Sequence, residues 1–217
     1  MAIRLAGRMV SLFATPLPRF ADRHQNRSYS TTQRFFNAHK VQTMGQFGTM
    51  IADAANVSQR YAKRLLVGIP ADRFARFAAP AKQTIESNHP AFILGHLSLY
   101  PVNVVRLLGL DTAAVQPSDR FVALFSKDAK CQDDAHGFMY PSMQELSDVF
   151  FKGYEVAIAA MRDASDAQLA ADNPVDTPLK QVCPSLGSML GFYLTGHVAM
   201  HLGQLSTWRR MEGLPPA

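Results

Sequence analysis

Near the end of the chain, Gly196-His197-Val198-Ala199-Met200-His201-Leu202-Gly203-Gln204 sets two histidines four residues apart in a run without proline. On a helix such residues stand on one face, about 6 Å apart at their Cα atoms, and two imidazoles can reach one metal ion. Zinc helices with this spacing carry a glutamate after the first histidine as general base. Val198 takes that place here, so a metalloprotease reading fails at its first catalytic residue. A metal held by this pair needs a third ligand from elsewhere, and the fold must bring a distant segment onto this helix.

With 217 residues, 47% of them hydrophobic and 18% charged, the chain has the balance of a globular domain rather than a disordered one. No apolar run reaches the roughly 18 residues of a membrane span. Cys131 and Cys183 have no CxxC spacing, form no disulfide framework, and read as ordinary small side chains in a reducing compartment. The net charge of +5 resides in residues 1–34, where six arginines face the single acid Asp22. The body is neutral and lacks the basic patch that phosphate neutralisation requires, which argues against nucleic-acid binding.

Residues 1–34 are also rich in serine and broken by Pro16 and Pro18. They read as a disordered extension of a cytoplasmic protein or, alternatively, as a mitochondrial transit peptide. Either way the fold is sought in residues 35–217.

Apolar residues at three- and four-residue steps predict a first helix over about 35–66, using Phe36, Val41, Met44, Phe47, Ile51, Ala54 and Ala55, ended by Gly68 and Pro70. A second helix is expected over about 91–108, capped by Asn88, opened by Pro90, and kinked or split at Pro101. It carries His96 among apolar neighbours. Residues 109–141 lose periodicity and suit a long crossover, pinned by Phe121, Leu124, Phe125 and Phe138, with His136 in solvent. Ser142-Met143-Gln144-Glu145 is a capping-box pattern for a third helix to about Ala164. The last helix is expected as one piece over about 185–212, with Leu186, Met189, Leu190, Tyr193, Leu194, His197, Met200, His201 and Leu205 on one broad face. Arg209 and Arg210 fall in its last turn, where they suit the helix dipole. No strand pattern competes, and the chain reads as all-α.

Four helices with a long crossover between the second and third make a four-helix bundle the economical architecture. In a bundle His96 becomes the partner of His197 and His201. Three neutral imidazoles with an open position are the ligand set of a catalytic zinc, and nickel or iron would also accept it.

Leu94-Gly95-His96-Leu97, the stretch His197-x3-His201-Leu202-Gly203-Gln204-Leu205, Arg209-Arg210, and Tyr140-Pro141-Ser142 together resemble the DinB-like superfamily of metalloproteins, related to the YfiT group. The resemblance spans about residues 35–215. It implies an up-down-down-up bundle, often a homodimer, with a divalent metal on His96, His197 and His201. Relatives in this superfamily include transferases for bacillithiol and mycothiol and a thiol-dependent maleylpyruvate isomerase, so it also implies a metal-dependent thiol S-transferase acting on a small thiol and an electrophile. A metal-assisted hydrolase is the alternative within enzymes. A stress-associated metal-binding or dimerisation module without turnover is the alternative outside them. Around the histidines, Gln204 is expected to hydrogen-bond a ligand or to sit at the bundle edge. Tyr193 is expected to line the pocket or fill the core, Asn103 to orient a ligand histidine, and His89 to play a structural part beside Pro90.

Overall fold

In the computed structural model, which describes residues 45–217, the first helix, α1, runs Gln46–Leu66. The extension at 1–34 and the predicted beginning of this helix at 35–44 lie outside the described residues. The buried stripe of α1 is Gly48, Ala52, Ala55, Gln59, Ala62 and Leu65, one residue out of step with the expected face. Phe47, predicted to be core, is 53% exposed. The cause is close approach to α5 (Met143–Asp163): a Cβ on Gly48 would collide with the Met161 carbonyl oxygen, and one on Gly45 with that of Ala164. Small residues let the two backbones meet, and they, rather than the large apolar ones, select the contact face.

Helix α2 spans Pro90–Leu97 and α3 spans Pro101–Leu107. Pro101 splits rather than kinks the expected helix, because it has no N–H to continue the ladder. The Ser98 hydroxyl donates to the Leu94 carbonyl (2.7 Å), and the last turn tightens as Tyr100 N–H reaches Leu97. The cap of α2 is His89, not Asn88: its Nδ1 accepts the Phe92 N–H at 3.2 Å. Histidine is not among the usual capping residues, which is why the pattern pointed one residue earlier.

The 109–141 connection contains a helix of its own, α4 (Asp119–Phe125), capped by Ser118. Phe121 and Phe125 are buried as expected, but Phe138 is 88% exposed and pins nothing. Asp134 organises that end of the connection instead, accepting the backbone N–H groups of Gly137, Phe138, Met139 and Tyr140. Burial pushes its carboxyl pKa up, but these four donors outweigh it and hold the group below its ordinary value. His136 is exposed.

Helix α5 begins as expected at Ser142, whose Oγ accepts the Glu145 N–H at 3.1 Å, although only this half of the capping box forms. It is followed by the short α6 (Asp166–Ala170). The predicted last helix is two: α7 (Leu186–Leu194) and α8 (Gly196–Met211), broken at Thr195 (φ −126°, ψ −74°). The Thr195 hydroxyl takes the Gly191 carbonyl at 2.7 Å, a back-bond that bends helices, and Gly191 and Gly196 flank the break. The phase resets there. Val198, Leu202, Leu205 and Trp208 form the buried stripe of α8 with His197, while Met200, expected in the core, is 57% exposed.

Arg209 does not sit at the surface of its last turn. It is 3% exposed, and its guanidinium donates to the carbonyls of Leu65 and Val67 (both 2.7 Å) and Pro215 (2.9 Å). It thus caps the C-terminal end of α1, where that helix leaves carbonyls unpaired and a partial negative charge, and ties α8 to it. Among the described residues the protein is all-α: no strand forms, only the isolated bridges Ala78–Ile85 and Asp172–Ser185. No helix there is long and apolar enough to cross a membrane. Helix α5 packs on α1, α2 and α3, and α8 packs on α1 and α2. The α2–α8 contact carries the site.

Candidate metal centre

His96 stands in the last turn of α2, and His197 and His201 stand in the first two turns of α8. One ring nitrogen from each lies within 4.8 Å of the other two. The two helices thus bring together residues 101 positions apart in the sequence, as expected for His96, His197 and His201.

Each ring is held by a different device. His96 Nδ1 lies 2.9 Å from the Phe125 carbonyl oxygen, an acceptor only, so the proton is on Nδ1 and Nε2 keeps its lone pair. This bond exists because α4 lies against α2 at Gly95, where a Cβ would strike the Phe125 ring. His201 Nδ1 lies 3.0 Å from Gln204 Oε1, which also accepts from Asn88 Nδ2 at 3.1 Å. His201 therefore also carries its proton on Nδ1 and turns a bare Nε2 inward. That Nε2 is 3.2 Å from His197 Nε2. His197 is 8% exposed, and its Nδ1 is buried with no partner among the described residues.

The chemistry of this donor set fits a metal ion. Two nitrogens bound to one zinc at about 2.0–2.1 Å in a near-tetrahedral arrangement lie about 3.3 Å apart, and His197 and His201 are already at that spacing. With His96 and His201 locked as Nδ1–H tautomers, their acceptor nitrogens point at each other's neighbourhood, an arrangement that a cation stabilises. Two of the three histidines also pass their outer N–H to an oxygen, as ligating histidines do; His197 departs from that pattern. Burial foremost, then the charges of His201 and His96, pushes His197 down to about 3. Burial also lowers His201, against the Gln204 hydrogen bond that raises it. Both rings are neutral at pH 7, the form that binds metal.

Aromatic rings wall the cluster. Tyr100 is 4.2 Å from His197 and 5.3 Å from His96 between ring centroids, with its hydroxyl 3.4 Å from His96 Nε2. Burial raises its phenol pKa, so the group is a protonated donor at neutral pH. Phe92 stacks on His96 and Phe192 leans on His197. Tyr193, expected to line the pocket or fill the core, is in the core: it packs on Tyr100 at 5.2 Å, is 9% exposed, and backs the wall. Asn103 does not orient a histidine: its Oδ1 accepts from Arg106 at the surface. His89 is structural, with Nε2 2.9 Å from the Gln132 carbonyl as well as the capping bond at Nδ1.

Three members of the site were not named from the sequence: Tyr100, the Phe125 carbonyl, and Asn88 in its bond to Gln204. Tyr100 carried a signal, since it is four residues after His96, the same spacing as the histidine pair. A backbone carbonyl carries none. Beside the Asn88–Gln204 pair runs an uncharged groove of about 690 Å³, lined by Ile85, Ser87, Gly203, Thr207 and Met211 among others. Cys131 is no second centre: burial pushes its thiol up to about 11, away from the thiolate form.

No protein-family model and no curated protein matches this chain. Its own fold and cluster define it as an all-α protein with three histidines able to hold one metal ion.

Proposed function

We propose that the protein is a DinB-like four-helix bundle over residues 35–217, with up-down-down-up connectivity and a long crossover between its second and third rods. In this reading it holds one divalent ion, zinc before nickel or iron, on His96, His197 and His201, and acts as a thiol S-transferase, working as a homodimer. The rods would be α1, α2 with α3, α5, and α7 with α8. The observation that carries the reading is the pair of Nε2 atoms 3.2 Å apart with the His201 proton fixed away from the cluster by Gln204.

An ion held there would supply the positive charge that lowers a thiol's pKa toward neutrality. The chain's own residues do the rest. Phe125 and Gln204 fix the rings of His96 and His201, so the nitrogen lone pairs need no reorganisation. Phe92 and Phe192 keep that flank of the cluster apolar, which strengthens electrostatic interactions at the centre. The groove beside Gln204, uncharged and about 690 Å³, is available to the non-reacting part of a substrate.

Thiol transfer is favoured over hydrolysis by the groups that are present. Among the described residues no carboxylate is one of the groups whose charge acts on His197 or His201, and a thiolate nucleophile needs no general base. The test is a panel of small thiols with chlorodinitrobenzene, using zinc-loaded protein. Conjugation above the uncatalysed rate in wild type, lost in His197→Ala, supports the reading. Ester hydrolysis that needs no thiol would replace it with the hydrolase, and no turnover of either kind would leave a metal-binding module.

A further inference from the structure

His96 and Tyr100 are four residues apart on one side of the cluster, and His197 and His201 are four apart on the other. The tightened turn before Pro101 keeps Tyr100 on the face of His96: its N–H bonds the Leu97 carbonyl at 3.2 Å. The phenol ring is fixed on both sides, by His197 at 4.2 Å and Tyr193 at 5.2 Å between centroids. Its hydroxyl has one hydrogen-bond partner among the described residues, His96 Nε2 at 3.4 Å, a length at which an O–H···N bond is weak. With Nδ1 on the Phe125 carbonyl, that nitrogen is also the one left free for the cluster with the other two histidines. Once its lone pair is committed to an ion it accepts nothing, and the Tyr100 O–H is left beside the centre with no acceptor in hydrogen-bond reach among the described residues. A half-buried donor in that position needs a partner, and the atom that can provide one is the exogenous ligand at the coordination position the three histidines leave open.

We propose that Tyr100 is a positioning residue whose hydroxyl donates a hydrogen bond to the anion bound at that open position. The inference rests on the three-histidine metal reading and adds a specificity to it: the site prefers an anionic, hydrogen-bond-accepting ligand such as a thiolate over a neutral one. The proton stays on the phenol. Tyr100 supplies a donor and takes no part in bond making.

The test uses cobalt(II) chloride as the metal and sodium azide as the anion, followed in the visible ligand-field bands, with wild type, Tyr100→Phe and His197→Ala. Phenylalanine keeps the ring between His197 and Tyr193, and the far-ultraviolet circular dichroism and melting temperature confirm that it folds. Wild type and Tyr100→Phe are expected to bind one cobalt with equal affinity, while azide binds Tyr100→Phe about tenfold or more weakly, the worth of one hydrogen bond to a charged acceptor. Azide affinities within twofold would overturn the role of Tyr100 and leave the metal site standing. Loss of cobalt affinity in Tyr100→Phe would overturn it differently, making the phenol a ligand. Failure of wild type to bind cobalt would sink the metal reading itself, and the inference with it.

Discussion

Two histidines seven residues apart at the start of the same helical stretch do opposite things. His89 closes both of its nitrogens on the protein: Nδ1 accepts from Phe92 N–H and Nε2–H donates to the Gln132 carbonyl. His96 closes only Nδ1, on the Phe125 carbonyl, and leaves Nε2 facing His197 and His201. The protons sit on opposite nitrogens, Nε2 in His89 and Nδ1 in His96. Both side chains are buried among aromatic rings, so burial does not separate a structural histidine from a candidate ligand. The open nitrogen does.

The largest effect expected from breaking this contrast is at the cluster. His96→Ala or His197→Ala should weaken metal binding by more than about a hundredfold, beyond the 10–100-fold that loss of an outer partner costs, with zinc counted after gel filtration. His89→Ala should leave one zinc per chain but lower the unfolding free energy by about 3 kcal/mol in urea. It strands the Phe92 N–H and the Gln132 carbonyl and opens a cavity.

Acid should reveal the same residue. Burial foremost holds His89 at about 4 in the folded protein, although the Gln132 carbonyl and the nearby Asp133 and Asp134 oppose that shift. Its unfolded value is about 6.5. A base with a depressed folded pKa is neutral in both states at pH 7, so its contribution is flat there. As pH falls from about 6.5 to 4 the unfolded chain takes up the proton first, and stability drops by up to about 3 kcal/mol. Urea melts of metal-free protein at pH 7 and pH 4.5 should show a smaller loss in His89→Gln than in wild type.

Smaller effects come from the residues that hold the rings. Gly95→Ala should push the Phe125 ring off α2, lengthen the His96–Phe125 bond, and weaken zinc binding about tenfold. Gln204→Ala should cost a similar or smaller factor by freeing His201 to change tautomer. Competition with a chromogenic chelator measures both.

The long helices were legible because their apolar periodicity and end signals agree. Ser142, Pro90, Gly68 and Pro101 each act where the pattern placed them. Features that depend on contact with another segment were not. The face of α1 is chosen by Gly45 and Gly48 at the end of α5, the break at Thr195 by a hydroxyl back-bond, and the exposure of Met200 by the phase change that follows. Arg209 carries no local sign that its partners are the carbonyls ending α1, about 140 residues away. At the site, the three histidines could be grouped from spacing plus an assumed bundle. The atoms that set their tautomers could not, because one is the Phe125 main-chain oxygen and the other is Gln204 held by Asn88.

The central claim is that three imidazoles from two helices hold one ion, and elemental analysis of purified protein tests it most directly. The account predicts about one zinc, nickel or iron per chain in wild type, and none retained in either His96→Ala or His197→Ala while helicity is preserved. Wild-type protein that contains no metal and takes none up on reconstitution would contradict it, and the histidines would then be core packing.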